Sequence, residues 1–253
     1  MKAEVKLISI KKKYYNNIDR KASFIALKLS KHQKVTNLLM KYIKELYLSV
    51  NLEKWFIEEK IFRSAYHPSV SSDFEFLIAR TLYHYSLIKK LNWNVELRCQ
   101  TKKVVPDIRI TKGRKTIAIL ELKAKAGWIQ HLFSEDSYKK GLKKYRESNG
   151  TKRHPRVLIK NLKEGIEKCC DTFEINANRI FYIIPSFTLV HRQKSELKIK
   201  DYVKYFAKNT GLPIKNLIYL SNNPRLNLDG KISYKLFQPT EKFENLIASL
   251  TKI

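Results

Sequence analysis

The chain has 253 residues, of which 43% are hydrophobic and 11% are aromatic, so it can bury a core and is not disordered throughout. Its 7 glycines and 7 prolines exclude a collagen or linker composition, and its 3 cysteines exclude a disulfide scaffold. The 51 lysine and arginine residues against 23 acidic residues give a net charge of +28, which predicts an anionic partner. Nucleic acid is the first candidate and an acidic membrane surface the second, although a lysine-rich proteome from an AT-rich genome would produce the same excess.

The first 65 residues are predicted to be helical. Apolar residues recur at helical spacing between Val35 and Leu46, and a second helix is predicted from about Leu52 to Phe62. The start of the chain has no uninterrupted apolar run and no small-residue cleavage site, so we expect no signal peptide and a cytoplasmic protein with reduced thiols. No apolar run approaches the roughly 20 residues that cross a bilayer.

A helix and three strands are predicted next. The helix runs from Ser72 to about residue 89 along an apolar stripe, and its first residues, Ser72 to Glu75, have the form of a capping box. Residues 93–99 alternate between apolar and polar, which predicts a half-buried strand. Residues 104–110 form a second predicted strand, and residues 116–122 a third that is nearly all apolar and therefore central.

The remaining chain alternates helices with strands. Together with the preceding elements, this order predicts an α/β fold with a central mixed sheet flanked by helices. The predicted elements are a helix near 137–145, a basic loop at 146–156, a helix at 157–170, a strand at 179–184, a helix at 200–208, a strand at 217–220, a hairpin turn at 229–230, a strand at 232–237 and a helix at 240–250.

Two acidic residues and a lysine carry the chemistry. Asp107 precedes the predicted hairpin tip at Gly113 by six residues, and Glu121 follows it by eight, so both carboxylates lie near the same level of neighbouring strands. Glu121 and Lys123 are two residues apart and therefore share one face of their strand. We expect all three groups to meet at one end of the sheet.

Such a group suits a hard divalent cation. Mg²⁺ prefers oxygen ligands and retains several waters, and it can neutralise a phosphodiester and lower the pKa of a bound water. Lys123 would hold or activate that water and offset charge on the phosphate oxygens. Placing the charged residues Glu121 and Lys123 after the apolar run 118–120 is costly unless they have partners or a metal.

The pattern Pro106-Asp107, thirteen residues, Glu121-Leu122-Lys123 resembles the PD-(D/E)xK nuclease superfamily. The resemblance implies that Asp107 and Glu121 bind the metal, with the Leu122 carbonyl as a third ligand. It also implies that Lys123 is the catalytic lysine, and that Glu75 is a further acid contributed by the preceding helix.

The size and the basic additions look most like a type II restriction endonuclease. The resemblance covers roughly residues 70–185. Because the sequence has no internal repeat and no low-complexity linker, we expect a single nuclease domain over residues 1–253, with a restriction-endonuclease-like catalytic core at 69–190, a helical N-terminal addition at 1–68 and an α/β C-terminal addition at 191–253. It further implies a Mg²⁺-dependent homodimer that cuts double-stranded DNA at a short sequence, with a DNA methyltransferase in the same system and no membrane partner.

Structural alternatives remain open for each of these residues. Asp107 could simply begin a strand, and Glu121 with Lys123 could be a surface ion pair. Glu75 is explained equally well by the capping box with Ser72. A structure-specific repair or recombination nuclease, or a nucleic-acid-binding protein without catalysis, would also fit the charge.

DNA contacts are predicted outside this group. The polar loop at 146–156 mixes arginine, lysine and asparagine, which contact phosphates and base edges. The hairpin tip adds one arginine that can reach a phosphate. The candidate DNA-binding residues are Arg114, Asn149, Lys152, Arg153 and Arg156.

Overall fold

The computed structural model describes residues 2–51, 70–101, 104–123, 155–186, 199–222 and 238–253. Within these ranges the chain forms six α-helices and a five-stranded sheet, so the predicted α/β class with a mixed sheet is confirmed. The strands are β1 (Trp93–Leu97), β2 (Ile108–Lys112), β3 (Lys115–Leu122), β4 (Ile180–Ser186) and β5 (Leu217–Ser221). The helices are α1 (Lys2–Ser30), α2 (Thr36–Asn51), α3 (Val70–Lys89), α4 (Pro155–Phe173), α5 (Ile199–Thr210) and α6 (Lys242–Thr251).

The strands lie in the sheet in the order in which they occur in the chain. β1, β2 and β3 are antiparallel neighbours, and β3, β4 and β5 are parallel neighbours. A two-residue turn joins β2 to β3, and its Gly113 has φ of +60°, a left-handed conformation that glycine adopts without a steric penalty. The parallel pairs are connected through α4 and α5, as parallel strands require crossover connections.

Helices pack on both faces of the sheet. One face is buried against α1, α2, α3 and α6, and the other is buried against α4 and α5. The central strand β3 is therefore apolar on both sides: Ala118 and Leu120 face the first core, and Ile119 faces the second. Among the described residues, no helix has both the length and the apolar character needed to cross a bilayer.

An acid from the last helix stabilises the start of α2. One carboxylate oxygen of Glu244 accepts hydrogen bonds from the backbone N–H groups of Val35 and Thr36, at 2.8 and 2.9 Å. The hydroxyl of Thr36, which is almost fully buried, donates to the same carboxylate. The orphan donors at a helix N-terminus are thus satisfied by a residue more than 200 positions away.

Several predicted boundaries move. β1 ends at Leu97 rather than at residue 99, because Arg98 has a left-handed φ of +49° that no regular strand accommodates. β2 begins at Ile108 and continues to Lys112, so Pro106 precedes the strand instead of lying in it. The helix α4 begins at Pro155, inside the stretch that was predicted to be a loop. The predicted elements at 52–62, 137–145, 229–230 and 232–237 lie outside the described residues.

Candidate active site

A β-bulge determines which residues of β2 and β3 face each other. Near the turn, Thr111 pairs with Thr116, whereas further along Ile110 pairs with Ala118. Ile117 is therefore an extra residue in β3, and it is buried in the same core as its neighbour Ala118. The bulge moves every pair beyond it by one residue.

This shift brings the two predicted acids together. Beyond the bulge, Ile108 pairs with Leu120, and one further step in that register places Asp107 opposite Glu121. In the register next to the turn, Asp107 would instead face Leu120. The sequence predicts that the acids lie at a similar level, and the bulge makes them direct neighbours.

Lys123 lies between the two carboxylates. Its Nζ is 3.1 Å from Oε2 of Glu121 and 3.5 Å from Oδ2 of Asp107. The same Asp107 oxygen also accepts the backbone N–H of Leu122 at 2.7 Å. The backbone N–H of Lys123 donates to Ile183 of β4, which fixes the lysine at the end of the central strand. The structure therefore brings the three predicted groups together.

The group is partly buried and carries one more negative than positive charge. Side-chain exposure is 19% for Asp107, 18% for Glu121 and 28% for Lys123. Burial, and then the charge of Asp107, raise the pKa of Glu121 above its ordinary value. Burial alone would lower the pKa of Lys123, but the carboxylates of Glu121 and Asp107 outweigh it and raise that pKa. Lys123 is therefore an ammonium ion at neutral pH.

Buried side chains beneath Glu121 exclude water from one side of the group. Tyr182 pairs with Glu121 across β3 and β4, and burial and the Glu121 charge raise the pKa of its hydroxyl far above its usual value. Burial, and then the same carboxylate, raise the pKa of the Cys169 thiol to about 12. The thiol is therefore protonated and unreactive at neutral pH.

Glu75 lies on α3 and is held by Arg98. The guanidinium donates to both carboxylate oxygens, at 2.5 Å from Nε and 3.0 Å from the second nitrogen. It also donates to the hydroxyl of Ser72 at 3.1 Å. Because α3 begins at Val70, Ser72 lies within the helix, and the predicted capping box is wrong. The Glu75 carboxylate is turned toward an arginine instead.

Arg98 links Glu75 to the acidic pair, and the sequence-based reasoning missed it. Its backbone N–H donates to the Asp107 carbonyl at 3.0 Å, and its pKa is raised by the hydrogen bond to Glu75 and further by the charges of Glu75 and Asp107. The Arg98 side chain is 52% exposed, whereas that of Glu75 is 5% exposed. The left-handed backbone of Arg98 at the end of β1 is visible only in the structure, so the sequence offered no signal for this residue.

The donor set suits a magnesium ion. Within the described ranges, no three acidic, histidine or cysteine side chains meet where they could hold a metal. A cation would therefore be held by the carboxylates of Asp107 and Glu121 with the Leu122 carbonyl, the remaining positions being filled by water. Mg²⁺ is commonly bound in proteins by only one or two carboxylates, so the chemistry of these donors fits it.

Of the predicted DNA-binding residues, only Arg114 has a described side chain, and it does not lie at this site. Arg114 is exposed at the hairpin tip, at the opposite end of β3 from Glu121. The backbone of Arg156 lies in the first turn of α4 rather than in a loop. Asn149, Lys152 and Arg153 lie outside the described residues.

No family model, curated protein or solved structure matches this chain. Function must therefore be argued from the geometry and chemistry of the site. That site is an acidic pair bridged by a lysine at the end of the central strand of a mixed sheet.

Proposed function

We propose that this protein is a Mg²⁺-dependent nuclease that hydrolyses phosphodiester bonds of double-stranded DNA. The observation that carries the proposal is the meeting of Asp107, Glu121 and Lys123 at one end of β3. Two carboxylates and one ammonium leave a single negative charge, which a divalent cation would reverse. The net charge of +28 supports an anionic polymer as the substrate.

Asp107, Glu121 and the Leu122 carbonyl would hold the cation. When bound, Mg²⁺ supplies charge neutralisation at the phosphate and a water of lowered pKa. The Leu122 N–H and the Lys123 ammonium both donate to Oδ2 of Asp107, and the bond from Leu122 holds the carboxylate in position. Oδ1 accepts neither of these two bonds. The strands therefore fix the ligand geometry before a cation arrives.

Lys123 would act as a charged hydrogen-bond donor. Its raised pKa keeps the ammonium protonated at neutral pH, so it is unsuited to accept a proton as a general base. A protonated lysine at this position can orient the attacking water and stabilise the charge that develops on the phosphate oxygens. The half-exposed Arg98 offers a second cation beside Asp107 for the same phosphate.

In its finer form, the proposal places the chain in the PD-(D/E)xK superfamily as a type II site-specific endonuclease with a restriction-endonuclease-like core. The order α3, β1, β2, β3, α4, β4 supports that assignment. The finer proposal includes a homodimer acting in the cytoplasm, products with 5′-phosphates and a DNA methyltransferase in the same system. Glu75 would act in this scheme by holding Arg98, because both of its oxygens are engaged there.

A digest tests the proposal directly. Purified protein is incubated with phage DNA and Mg²⁺, in parallel with EDTA, and the ends of any fragments are sequenced. Discrete fragments that require the metal are expected. DNA that remains uncut across divalent metals and buffers would overturn the proposal.

Variants separate catalysis from binding. Asp107→Ala, Glu121→Ala and Lys123→Ala should each abolish cleavage while most DNA binding is retained. Cleavage only at branches or ends would favour a structure-specific repair or recombination nuclease. Salt-sensitive binding without metal-dependent cleavage would favour a nucleic-acid-binding protein that lacks catalysis.

A further inference from the structure

A cavity of about 470 Å³ opens where β4 and β5 begin. Two short 3-10 turns, Ala177–Arg179 and Ile214–Asn216, lead into these strands and form one side of it. The helix α6 forms the other side, through Lys242 and its neighbours. The volume lies within the about 300–1,000 Å³ that is typical of small-ligand sites.

The cavity has a basic rim and no acidic side chain in its lining. Arg179, Lys215 and Lys242 come from three different elements, and among the described residues no side-chain carboxylate forms an ion pair with any of them. The acids closest in sequence to Lys242 are engaged elsewhere: Glu241 pairs with Lys34, and Glu244 binds the start of α2.

The walls offer further polar groups above an apolar floor. The amides of Asn178 and Asn245 line the opening, together with Ser249, whose hydroxyl donates to the Leu246 carbonyl at 2.7 Å. The floor is made of Phe181, Ile218 and Leu246, all of which are buried. The main-chain oxygen of Ile253 at the rim accepts a hydrogen bond from Lys112 at 3.4 Å.

A buried asparagine holds the two basic turns together. Asn216 is fully buried, and its side-chain nitrogen donates to the carbonyl of Ala177 at 3.1 Å and to that of Ile180 at 2.8 Å. These two carbonyls flank Arg179, and Asn216 itself follows Lys215. The backbone on which Arg179 and Lys215 are carried is therefore held in place before any ligand binds.

Lys242 is partly desolvated, and the Tyr219 ring offsets that cost only in part. Its ammonium lies 4.6 Å from the centre of the Tyr219 ring, and burial lowers its pKa. A lowered pKa means that the surroundings disfavour the charged form. An anion in the cavity would reverse this effect.

The cavity is separate from the candidate active site. Glu121 and its partner Tyr182 lie on the side of the sheet that packs against α4 and α5. Phe181 and Ile218, in the floor of the cavity, lie on the opposite side, which packs against α6. Because the sheet separates the two, one phosphate cannot contact both.

We propose that this cavity binds a phosphomonoester of about nucleotide size. A phosphomonoester carries a charge of about −1.5 to −2 near pH 7, which three cations can balance. A ligand with a single carboxylate would carry only one negative charge and would need fewer cations. Arg179 supplies the forked donor geometry that suits phosphate oxygens. The volume and the apolar floor leave room for an organic group, so a bare inorganic phosphate would fill the cavity only in part.

Titration calorimetry on the full chain measures ligand binding to the cavity. EDTA is present and DNA is absent, so that the result does not depend on nuclease activity. The probes are adenosine 5′-monophosphate, inorganic phosphate and adenosine. We expect the monophosphate to bind at one site per chain, inorganic phosphate to bind more weakly, and adenosine not to bind. Equal binding of adenosine and its monophosphate, or no binding of the monophosphate, would overturn the proposal.

Two charge-matched variants assign the site. In Arg179→Gln/Lys215→Gln/Lys242→Gln, the affinity for the monophosphate should fall at least about tenfold, since charge-assisted bonds to phosphate are lost. The control Lys31→Gln/Lys168→Gln/Lys208→Gln removes the same charge from exposed positions elsewhere and should change affinity less than about twofold. Equal losses in both would show non-specific attraction and refute the site. Lys215→Gln alone, compared with Lys31→Gln, repeats the test of monophosphate affinity with changes at exposed positions only.

A second experiment, with DNA, distinguishes a phosphate at a DNA end from that of a free nucleotide. Duplexes of equal sequence with a 5′-phosphate or a 5′-hydroxyl are titrated against the native chain and the triple variant. Tighter binding of the phosphorylated duplex, lost in the triple variant, assigns the site to a DNA end. Equal binding of both duplexes assigns it to a free nucleotide.

Discussion

Asp107→Asn is the sharpest perturbation of the candidate site. Asparagine has nearly the same shape as aspartate, and its oxygen can still accept the Leu122 N–H that Asp107 accepts at 2.7 Å. Lys123 keeps Glu121 as a partner at 3.1 Å. The change therefore removes one charge and little else, and we expect the variant to fold normally but to lose its response to Mg²⁺.

The stabilisation by Mg²⁺ depends on the net charge of the site. The native site holds two carboxylates against one ammonium, so a net negative charge remains for the cation; in the variant, Glu121 and Lys123 neutralise each other. At ten times the dissociation constant, a cation that binds only the folded state stabilises it by about 1.4 kcal/mol. For a protein of this size, that corresponds to a Tm increase of about 3–6 °C.

The assay is thermal unfolding during a Mg²⁺ titration at constant ionic strength. The matched control is Glu45→Gln, which removes one carboxylate from an ion pair with Lys21 at 2.6 Å, outside the site. We expect the native protein and the control to show the full Tm increase, and Asp107→Asn to show almost none.

The refuting result is a Tm increase in Asp107→Asn as large as that of the native protein. It would mean that Mg²⁺ stabilises the fold from another position, and that Asp107 and Glu121 form an ion-pair network without a metal. Absence of any increase in all three proteins, up to concentrations that support cleavage by other nucleases, would remove the metal from the proposal.

Three further predictions test the fold and the DNA surface. Glu244→Gln weakens the acceptor for the buried start of α2 at Thr36 and should cost about 1–3 kcal/mol of unfolding free energy in urea, whereas an unchanged midpoint would contradict that role. The hydrogen bond from Arg80 holds the pKa of Asp19 below its ordinary value, so its stabilisation is present above about pH 4 and is lost as the pH falls through the lowered pKa. Asp19→Asn should therefore melt below the native protein at pH 7, and the difference should shrink as the pH falls below about 4; a constant difference would refute the assignment. Arg114→Ala should keep the cleavage rate within about threefold, because Arg114 lies about 20 Å along β3 from Glu121, and a hundredfold loss would place DNA at the hairpin tip.

Local patterns predicted the central strand and the shared face of Glu121 and Lys123. The apolar run 116–122 predicts a strand buried on both faces, and β3 occupies 115–122 at the centre of the sheet. The spacing of Glu121 and Lys123 predicts a shared face, and their side chains are in contact. These predictions hold because side-chain alternation and burial act over a few neighbouring residues.

The sequence did not predict the contact between Glu75 and Arg98, which are distant in the chain. The sequence from Ser72 to Glu75 matches a capping box. In the structure, however, the carboxylate of Glu75 binds Arg98, which lies 23 positions further along the chain. The pairing depends on how α3 packs against the end of β1, and no local pattern encodes that. A tertiary ion pair with a buried carboxylate outweighed the local capping interaction, which contributes only about 1 kcal/mol.

The candidate site depends on one residue that has no chemistry of its own. Ile117 is the extra residue of the bulge, and it moves Glu121 into the position opposite Asp107. In the register next to the turn, the apolar Leu120 would take that place, and Glu121 would lie on the other side of the pleat relative to Asp107. The sequence separation of the two acids is therefore compatible with either arrangement. Bulges commonly re-aim side chains near active sites, and here the bulge is what allows two carboxylates and a lysine to converge.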